Sequence, residues 1–374
     1  MVVAIVGYFV LFSLLHADIS DTQSSVVGLL QDQQEAIAQT FDTSLSIMQE
    51  AIVTNIAQAK KSVVSIVATK NIQYYLLTPG QQPAITQSEA KVGWGSGIIV
   101  SKSGYIVTNK HVVQDPNAAY TIITHDAKTY PVTKVWFDPV LDLAILRIDD
   151  SSATFSWHTS QAQFVTLGED VAIGQFAFAI GNVLTELQNT VTFGIVSAKN
   201  RELQMQWNNM YIWLLQTDTP INPGNSGGPL LDIYGKVIGI NTAINQFAQW
   251  VWFALPVTQE FINATIAAID QYAAIIRPYV GIIYTDITPT VQKEMNISVV
   301  DYGIYVNDVV NGSPAYTAGI QWGDIIVAIN DVAIDTSLPF LYQLYTYKVG
   351  DTLRLHILRN GDRIYRDVIL GQNQ

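Results

Sequence analysis

The chain has 374 residues, of which 49% are hydrophobic and 13% charged, enough apolar material for two or three packed domains and too much for general disorder. Its formal net charge of −12, with no run of Lys or Arg, excludes binding to a nucleic-acid backbone, which needs clustered cations. Cysteine is absent, which excludes disulfides, thiolate metal sites and a cysteine nucleophile together.

At the N-terminus, Val2 to Ala17 is uncharged and mostly apolar, and the first basic residue is Lys60. The stretch falls short of the roughly 20 residues of a membrane span, yet it exceeds most signal-peptide cores. Residues 1–17 are therefore read as a signal-anchor or a cleaved signal peptide, with a buried core helix as the third reading. Leu15-His16-Ala17 is a poor cleavage site and no basic region precedes it. Either targeting reading puts the remainder in the cell envelope, facing outside the cytoplasm, either membrane-anchored or free. Asp18 and Asp21 favour that orientation, though acids weigh little in the rule. Residues 18–58 carry a helical pattern, with Val26, Leu30, Ile37, Phe41, Leu45, Met48 and Ile52 at steps of three, four or seven. The stripe drifts from a strict heptad. It suits a stalk or oligomer seam, or a helix packed on its own domain.

From Lys61 the texture becomes short β-rich runs: Ser62–Ala68, Gly97–Ser101, Tyr105–Thr108, Tyr120–Thr124, Leu143–Ile148, Val171–Ile180, Thr190–Ala198, Leu214–Thr217 and Lys236–Asn241. Many strands without intervening helices imply a barrel or sandwich, and residues 59–257 suit two small barrels. Thr258 to Ile276 returns to helical spacing and meets Arg277-Pro278, so residues 258–277 read as a linker helix. Residues 278–374 form a separate α+β unit.

Chemistry concentrates in three places. Gly224-Asn225-Ser226-Gly227-Gly228-Pro229 places a serine between glycines. A hydroxyl becomes a useful nucleophile beside a base, and its tetrahedral intermediate needs backbone N–H donors; flanking glycines let the Gly224 and Ser226 amides converge on one oxyanion. Alone, the stretch is also compatible with an ordinary glycine-rich turn. Tyr105–Val113 ends a strand in His111, whereas His16, His125, His158 and His356 read as structural or exposed. Asp138-Pro139-Val140-Leu141-Asp142 leads into an apolar strand, and a carboxylate entering a core is costly unless paired. Asp142 could accept from the second nitrogen of a histidine. Asp138, Asp149 and Asp150 read as solvated turn residues.

The order His, Asp, Ser is that of chymotrypsin-like enzymes. The wording Thr-Asn-Lys-His-Val-Val, Asp-Leu-Ala-Ile-Leu and Gly-Asn-Ser-Gly-Gly-Pro-Leu resembles the HtrA/Deg serine proteases. Gly95-Ser96-Gly97-Ile98-Ile99, Val191–Ser197, Gly239–Ile244 and Phe253-Ala254-Leu255-Pro256 extend the resemblance over about Ser62 to Pro256. It implies a chymotrypsin-like double β-barrel in a mostly β chain. It also implies a triad of His111, Asp142 and Ser226, and an oxyanion hole at Gly224 and Ser226 aided by Asn225. The first specificity pocket would be lined by Ile221, Ala243 and Ile244, suiting a small or branched aliphatic side chain. Two positions depart from the family's wording: Gln249-Trp250-Val251-Trp252 precedes Phe253, and Val183 follows Gly181-Asn182.

Tyr279 to the end resembles the PDZ domains of the same family, most clearly in Gly312-Ser313-Pro314-Ala315, Ala318-Gly319-Ile320 and Gly323-Asp324-Ile325-Ile326. Tyr279-Val280-Gly281-Ile282 matches the loop that captures a peptide's terminal carboxylate. The peptide would add as a strand beside a helix near Leu338–Tyr347. The resemblance implies homotrimers built through the protease domains, and no cofactor is expected, since neither a phosphate loop nor a metal-ligand cluster is present. The resulting expectation is an ATP-independent endopeptidase of unfolded or damaged envelope proteins, targeted or regulated by peptide C-termini. Two alternatives stand beside it: a membrane-anchored protease cutting one signalling protein, and a peptide-binding chaperone with an idle protease fold.

Overall fold

The computed structural model describes residues 2–76, 84–149, 161–169, 171–181, 190–204, 210–222, 224–242, 251–336 and 338–372. It divides into two compact units, Met1–Thr54 and Asn55–Gln374. The helix α1 runs Val2–Ala59. Along it Ile37, Phe41, Leu45 and Met48, the later part of the apolar stripe, are exposed. The side chains of residues 1–30, where the anchor or signal is expected, lie outside those described, and among the described residues no helix is long and apolar enough to cross a membrane.

In the second unit, β1 (Val63–Leu76), β2 (Ala84–Ile99), β3 (Tyr105–Thr108), β4 (Ala119–Ile123), β5 (Thr129–Phe137) and β6 (Ala144–Ile148) close into a barrel in the order β1-β2-β3-β6-β5-β4. The alternation of β-branched residues explains it: Val64, Ile66, Ile99, Ile106, Ile122 and Leu146 turn to one packed interior. A second closed barrel follows, β10-β11-β12-β9-β8-β7, from β7 (Phe176–Gly181), β8 (Thr190–Gln204), β9 (Met210–Thr217), β10 (Pro229–Leu231), β11 (Val237–Thr242) and β12 (Trp252–Pro256). Its core holds Val165, Ala179, Val196, Leu215, Leu230 and Ile238.

Three strands go beyond those the sequence pattern suggests. Strand β5 contains Pro131, which weakens a strand reading, yet Pro131 pairs with Thr121 of β4. Strand β10 has only three residues, and β12 is too short to show an alternation of its own. The hairpin β1–β2 extends to Leu76↔Ala84, with a register shift at Ala68/Thr69.

The linker helix α2 (Gln259–Tyr272) is capped by Thr258, whose hydroxyl accepts from the Phe261 amide at 3.3 Å. It ends four residues earlier than the expected Ile276, because Ala273 turns left-handed (φ 56°). Beyond it, β13 (Pro278–Tyr279) pairs with β20 (Gly371–Gln372). A sheet of β14 (Ile282–Asp286), β15 (Ile304–Val309), β16 (Ile325–Ile329), β18 (Thr352–Arg359) and β19 (Asp362–Ile369), with β17 (Val332–Ala333) beside β16, carries three short helices: α3 (Pro289–Met295), α4 (Pro314–Thr317) and α5 (Phe340–Leu344). Strand β14 is an edge strand, and its Tyr284 meets Phe340 of α5 edge-on at 5.4 Å.

Candidate active site

His111 follows β3 on a short 3-10 turn, and Asp142 ends the loop between β5 and β6, so pairing of β3 with β6 brings the two together. The His111 Nδ1 lies 2.8 Å from Asp142 Oδ2, and the His111 amide donates to Asp142 Oδ1 at 3.0 Å. The Asn109 side-chain amide donates to the Asp142 carbonyl (3.1 Å). From the second barrel the Thr242 hydroxyl donates to Asp142 Oδ2 (3.1 Å). Burial opposes the Asp142 charge, but the His111 ring, the His111 amide and the Thr242 hydroxyl outweigh it and hold this carboxyl below its usual range. His111 keeps 34% of its side-chain surface in solvent while Asp142 keeps 9%, so the imidazole faces the cleft and the carboxylate backs it.

Ser226 stands on the turn before β10 and is 6% exposed. Its carbonyl accepts from the Ser96 amide of β2 (2.8 Å), and the Ser96 hydroxyl donates to the Gly224 carbonyl (2.6 Å). Gly227 donates to the Asn241 carbonyl (2.9 Å), and the Asn241 amide donates back to Gly228 (2.8 Å). The end of β11 therefore holds the serine turn through Asn241 and the aspartate through Thr242. From the other side, a Cβ on Gly95 would lie 2.6 Å from Val112, the neighbour of His111, and 3.3 Å from the Ser226 carbonyl. The three candidates thus converge across the cleft between the barrels.

Glycine is required at the turn. Gly227 (φ 82°) leaves no room for a side chain, since a Cβ there would sit 2.1 Å from Thr108 Oγ1 and 2.2 Å from the Ser96 carbonyl. Gly224 (φ 109°) also adopts a conformation that L-residues avoid. The Asn225 side chain is 2% exposed and packs so closely under Gly181 that a Cβ there would meet its Oδ1 at 1.8 Å. Of the three pocket candidates, Ala243 and Ile244 lie outside the described residues, and Ile221, 3% exposed, packs in the core of the second barrel. Trp250 and Asn182-Val183 also lie outside them.

Sequence reasoning missed Thr242 as a donor, although two polar residues, Asn241 and Thr242, closing an apolar strand are a visible signal. It also misassigned Asp138. This residue is fully buried, not solvated, because Arg277 reaches it from 139 positions away with Nε at 2.8 Å. A carboxylate at a turn looks solvated when its counter-charge comes from another part of the chain.

At the C-terminal unit, the Val280 carbonyl accepts from Ala315 (2.8 Å), and that of Gly281 accepts from the Val310 amide (3.0 Å) and the Ser313 hydroxyl (3.2 Å). Gly281 has φ 89°, and a Cβ there would lie 2.2 Å from that of Ser313. Tyr279 and Ile282 are half-buried at the two ends of this loop, and Ile282 opens the edge strand.

Two closed barrels with a His–Asp pair and a glycine-flanked serine at their junction, followed by this α+β unit, define the trypsin-like peptidase fold joined to a PDZ domain. Residues 95–240 match the trypsin-like peptidase domain family and residues 278–370 the PDZ domain family. The chain is 32% identical to the serine protease Do-like HtrA of Bacillus subtilis over 310 residues, covering 79% of this chain and 67% of that protein. It is 37% identical to the putative serine protease HhoA of Synechocystis, over 72% and 68% of the two. A probable periplasmic DegP-like serine endoprotease of Chlamydia pneumoniae is 34% identical over 74% of this chain and 55% of its own length; the chain spans about half the length of such relatives. The solved structure of the HtrA-type protease AlgW with a decapeptide superposes with a TM-score of 0.58 at 27% identity, covering 86% of this chain and 99% of that one. The chain belongs to the HtrA family of serine proteases with a C-terminal PDZ domain.

Proposed function

We propose that the chain is an ATP-independent serine endopeptidase of the cell envelope, acting on unfolded or damaged polypeptides. The observation that carries this reading is the His111–Asp142 pair, poised beside the glycine turn of Ser226. Asp142 accepts from Nδ1–H and leaves the other imidazole nitrogen as the base. Ser226 Oγ attacks the peptide carbonyl while His111 takes its proton, and Asp142 stabilises the imidazolium. The amides of Gly224 and Ser226 receive the oxyanion, with Asn225 holding the turn from beneath. His111 then delivers the proton to the leaving amine, and water resolves the acyl-enzyme by the same route. The apolar Ile221, with Ala243 and Ile244, favours cleavage after Val, Ile, Ala or Thr, since a charged side chain would be desolvated there without a partner.

The PDZ domain is proposed to bind free peptide C-termini at Tyr279–Ile282, with the peptide added to the edge of β14 beside α5. Homotrimer assembly and a membrane attachment through residues 1–17 belong to the same reading. The deciding experiment labels the chain with a fluorophosphonate probe alongside Ser226→Ala, then maps casein cuts by mass spectrometry. Label on the wild type alone, with cuts after small aliphatic residues, is expected. Undiminished proteolysis by Ser226→Ala would overturn the nucleophile, and a majority of cuts after basic residues would overturn the pocket.

A further inference from the structure

The turn that carries Asp142 is anchored from outside the cleft. Asp138 begins it, and every polar atom of this fully buried residue is committed. Its Oδ1 accepts from the amides of Val140 and Leu141, each at 2.9 Å. Its own amide donates to the Leu143 carbonyl (2.9 Å), and its carbonyl accepts from the Lys110 ammonium (3.3 Å), next to His111. Its Oδ2 takes both Nε and Nη2 of Arg277.

Arg277 is 3% exposed and lies at the junction of linker and PDZ domain. Its Nη1 donates to Thr265 of α2 (3.0 Å), and its guanidinium stands 4.3 Å from the Phe261 ring centre and 5.3 Å from that of Tyr345, just past α5. Tyr345 in turn meets Trp213 of β9 edge-on at 5.7 Å. A planar fork held by Asp138 and Thr265 over two rings has a defined orientation, and a buried carboxylate deprived of it is an uncompensated charge.

We infer that Arg277 and Asp138 form a positioning pair for Asp142: the ion pair sets the Asp138–Asp142 turn and, through it, the carboxylate that orients His111. Neither residue touches the cleft. The pair acts by holding one side of the turn, while Asn109 and the His111 amide hold Asp142 from the other. A displacement of about 1 Å at a catalytic group costs about 100-fold in rate. Because Arg277 lies over the Tyr345 ring, the PDZ domain has a direct physical hold on the geometry of the triad. The inference rests on the peptidase reading above.

The test uses the full chain with Arg277→Met, Arg277→Lys, Asp138→Asn and the double variant Asp138→Asn/Arg277→Met. The double variant removes both charges and keeps the site folded if either single change does not. Fluorophosphonate titration counts competent sites, so kcat is expressed per labelled site. Expected for Arg277→Met, Asp138→Asn and the double variant is a kcat about 10–100-fold lower with KM unchanged, and an acid limb of the rate profile moved to lower pH, as the imidazolium loses support from Asp142. Arg277→Lys, which keeps the charge without the fork, is expected to fall between. An unchanged kcat per labelled site and an unmoved acid limb, with any loss traced to a lower melting temperature, would overturn the positioning role and leave the pair structural. A wild-type chain that takes no label overturns the peptidase reading, and this inference with it.

Discussion

The cleft between the barrels and the seam between the second barrel and the PDZ domain are built on opposite plans. The cleft is polar and partly open: His111 keeps a third of its surface in water, and backbone amides and short side chains hold the triad candidates. The seam is aromatic at its centre, with clefts beside Trp213 that Lys199, Glu202, Asp286 and Asp335 line. Trp213 lies edge-on to both Tyr342 (6.1 Å) and Tyr345 (5.7 Å), and the buried charge of Arg277 is matched by Asp138. Each plan follows from what the region must do. A nucleophile's base needs solvent access and a defined proton path, whereas two packed domains are held together by large buried rings. Losses in the cleft should therefore appear in rate and losses among the seam's rings in stability, with Arg277 the exception that reaches the triad.

The sharpest separation comes from Ser226→Ala and His111→Ala. Each should lower turnover by several orders of magnitude, the double change should cost little more, and the melting temperature of Ser226→Ala should stay close to wild type. Steady-state peptide hydrolysis with parallel thermal melts checks this.

Trp213→Ala should do the reverse. Removing an indole that is 7% exposed is expected to destabilise by about 3–5 kcal/mol, read by urea unfolding. A stability within error of wild type would mean that the rings touch without holding the domains.

Asp142 tests the cleft from the side of pH. Its folded-state pKa lies below the unfolded value, so its contribution to stability is present above about pH 4, the ordinary carboxylate range, and fades as pH falls through the folded value. Asp142→Asn removes that contribution. The melting-temperature gap between the two proteins should be full near neutrality and close in strong acid.

Further out, Gly281→Val should abolish the preference of the PDZ domain for peptides ending in a free acid over their amides, measured by calorimetry, because its Cβ would collide with Ser313. The smallest effect is expected at Arg354–Asp367, a 2.9 Å ion pair on the outer face of β18 and β19 with both side chains more than half exposed. Arg354→Ala should leave the melting temperature nearly unchanged, because exposed pairs are screened by solvent. Set against Arg277, it isolates what burial adds to the same chemistry.

The two regions also differed in how far they could be read beforehand. Tyr105–Thr108 was legible to the residue as a strand, and Asp142, His111 and Ser226 stood out because each motif is local: a glycine turn, a strand end, a lone acid before an apolar run. The seam has no such signature. Trp213 adopts φ 60°, unusual for a bulky residue, and the contact this permits, with rings more than a hundred positions later, leaves no periodic trace. Asp138 was misread for the same reason: its partner is remote, and a turn carboxylate followed by proline looks solvated until an arginine is found for it. Strand β5 was hidden by Pro131, and α2 ended early because Ala273, which nothing local marks as a left-handed residue, closes it.

The convergence of Ser96, Gly227 and Thr242 also bears on how the molecule comes into being. As a chain emerges from synthesis, the first barrel with His111 and Asp142 is complete before Ser226 has been added, and the serine turn finds its hydrogen-bond partners only when Ser96 of β2 and Asn241 of β11 have both arrived. Each half alone therefore lacks part of the proposed triad. Under the proposed mechanism, hydrolysis waits until nearly all of both barrels have been made and docked, so a nascent or broken chain holds no assembled triad.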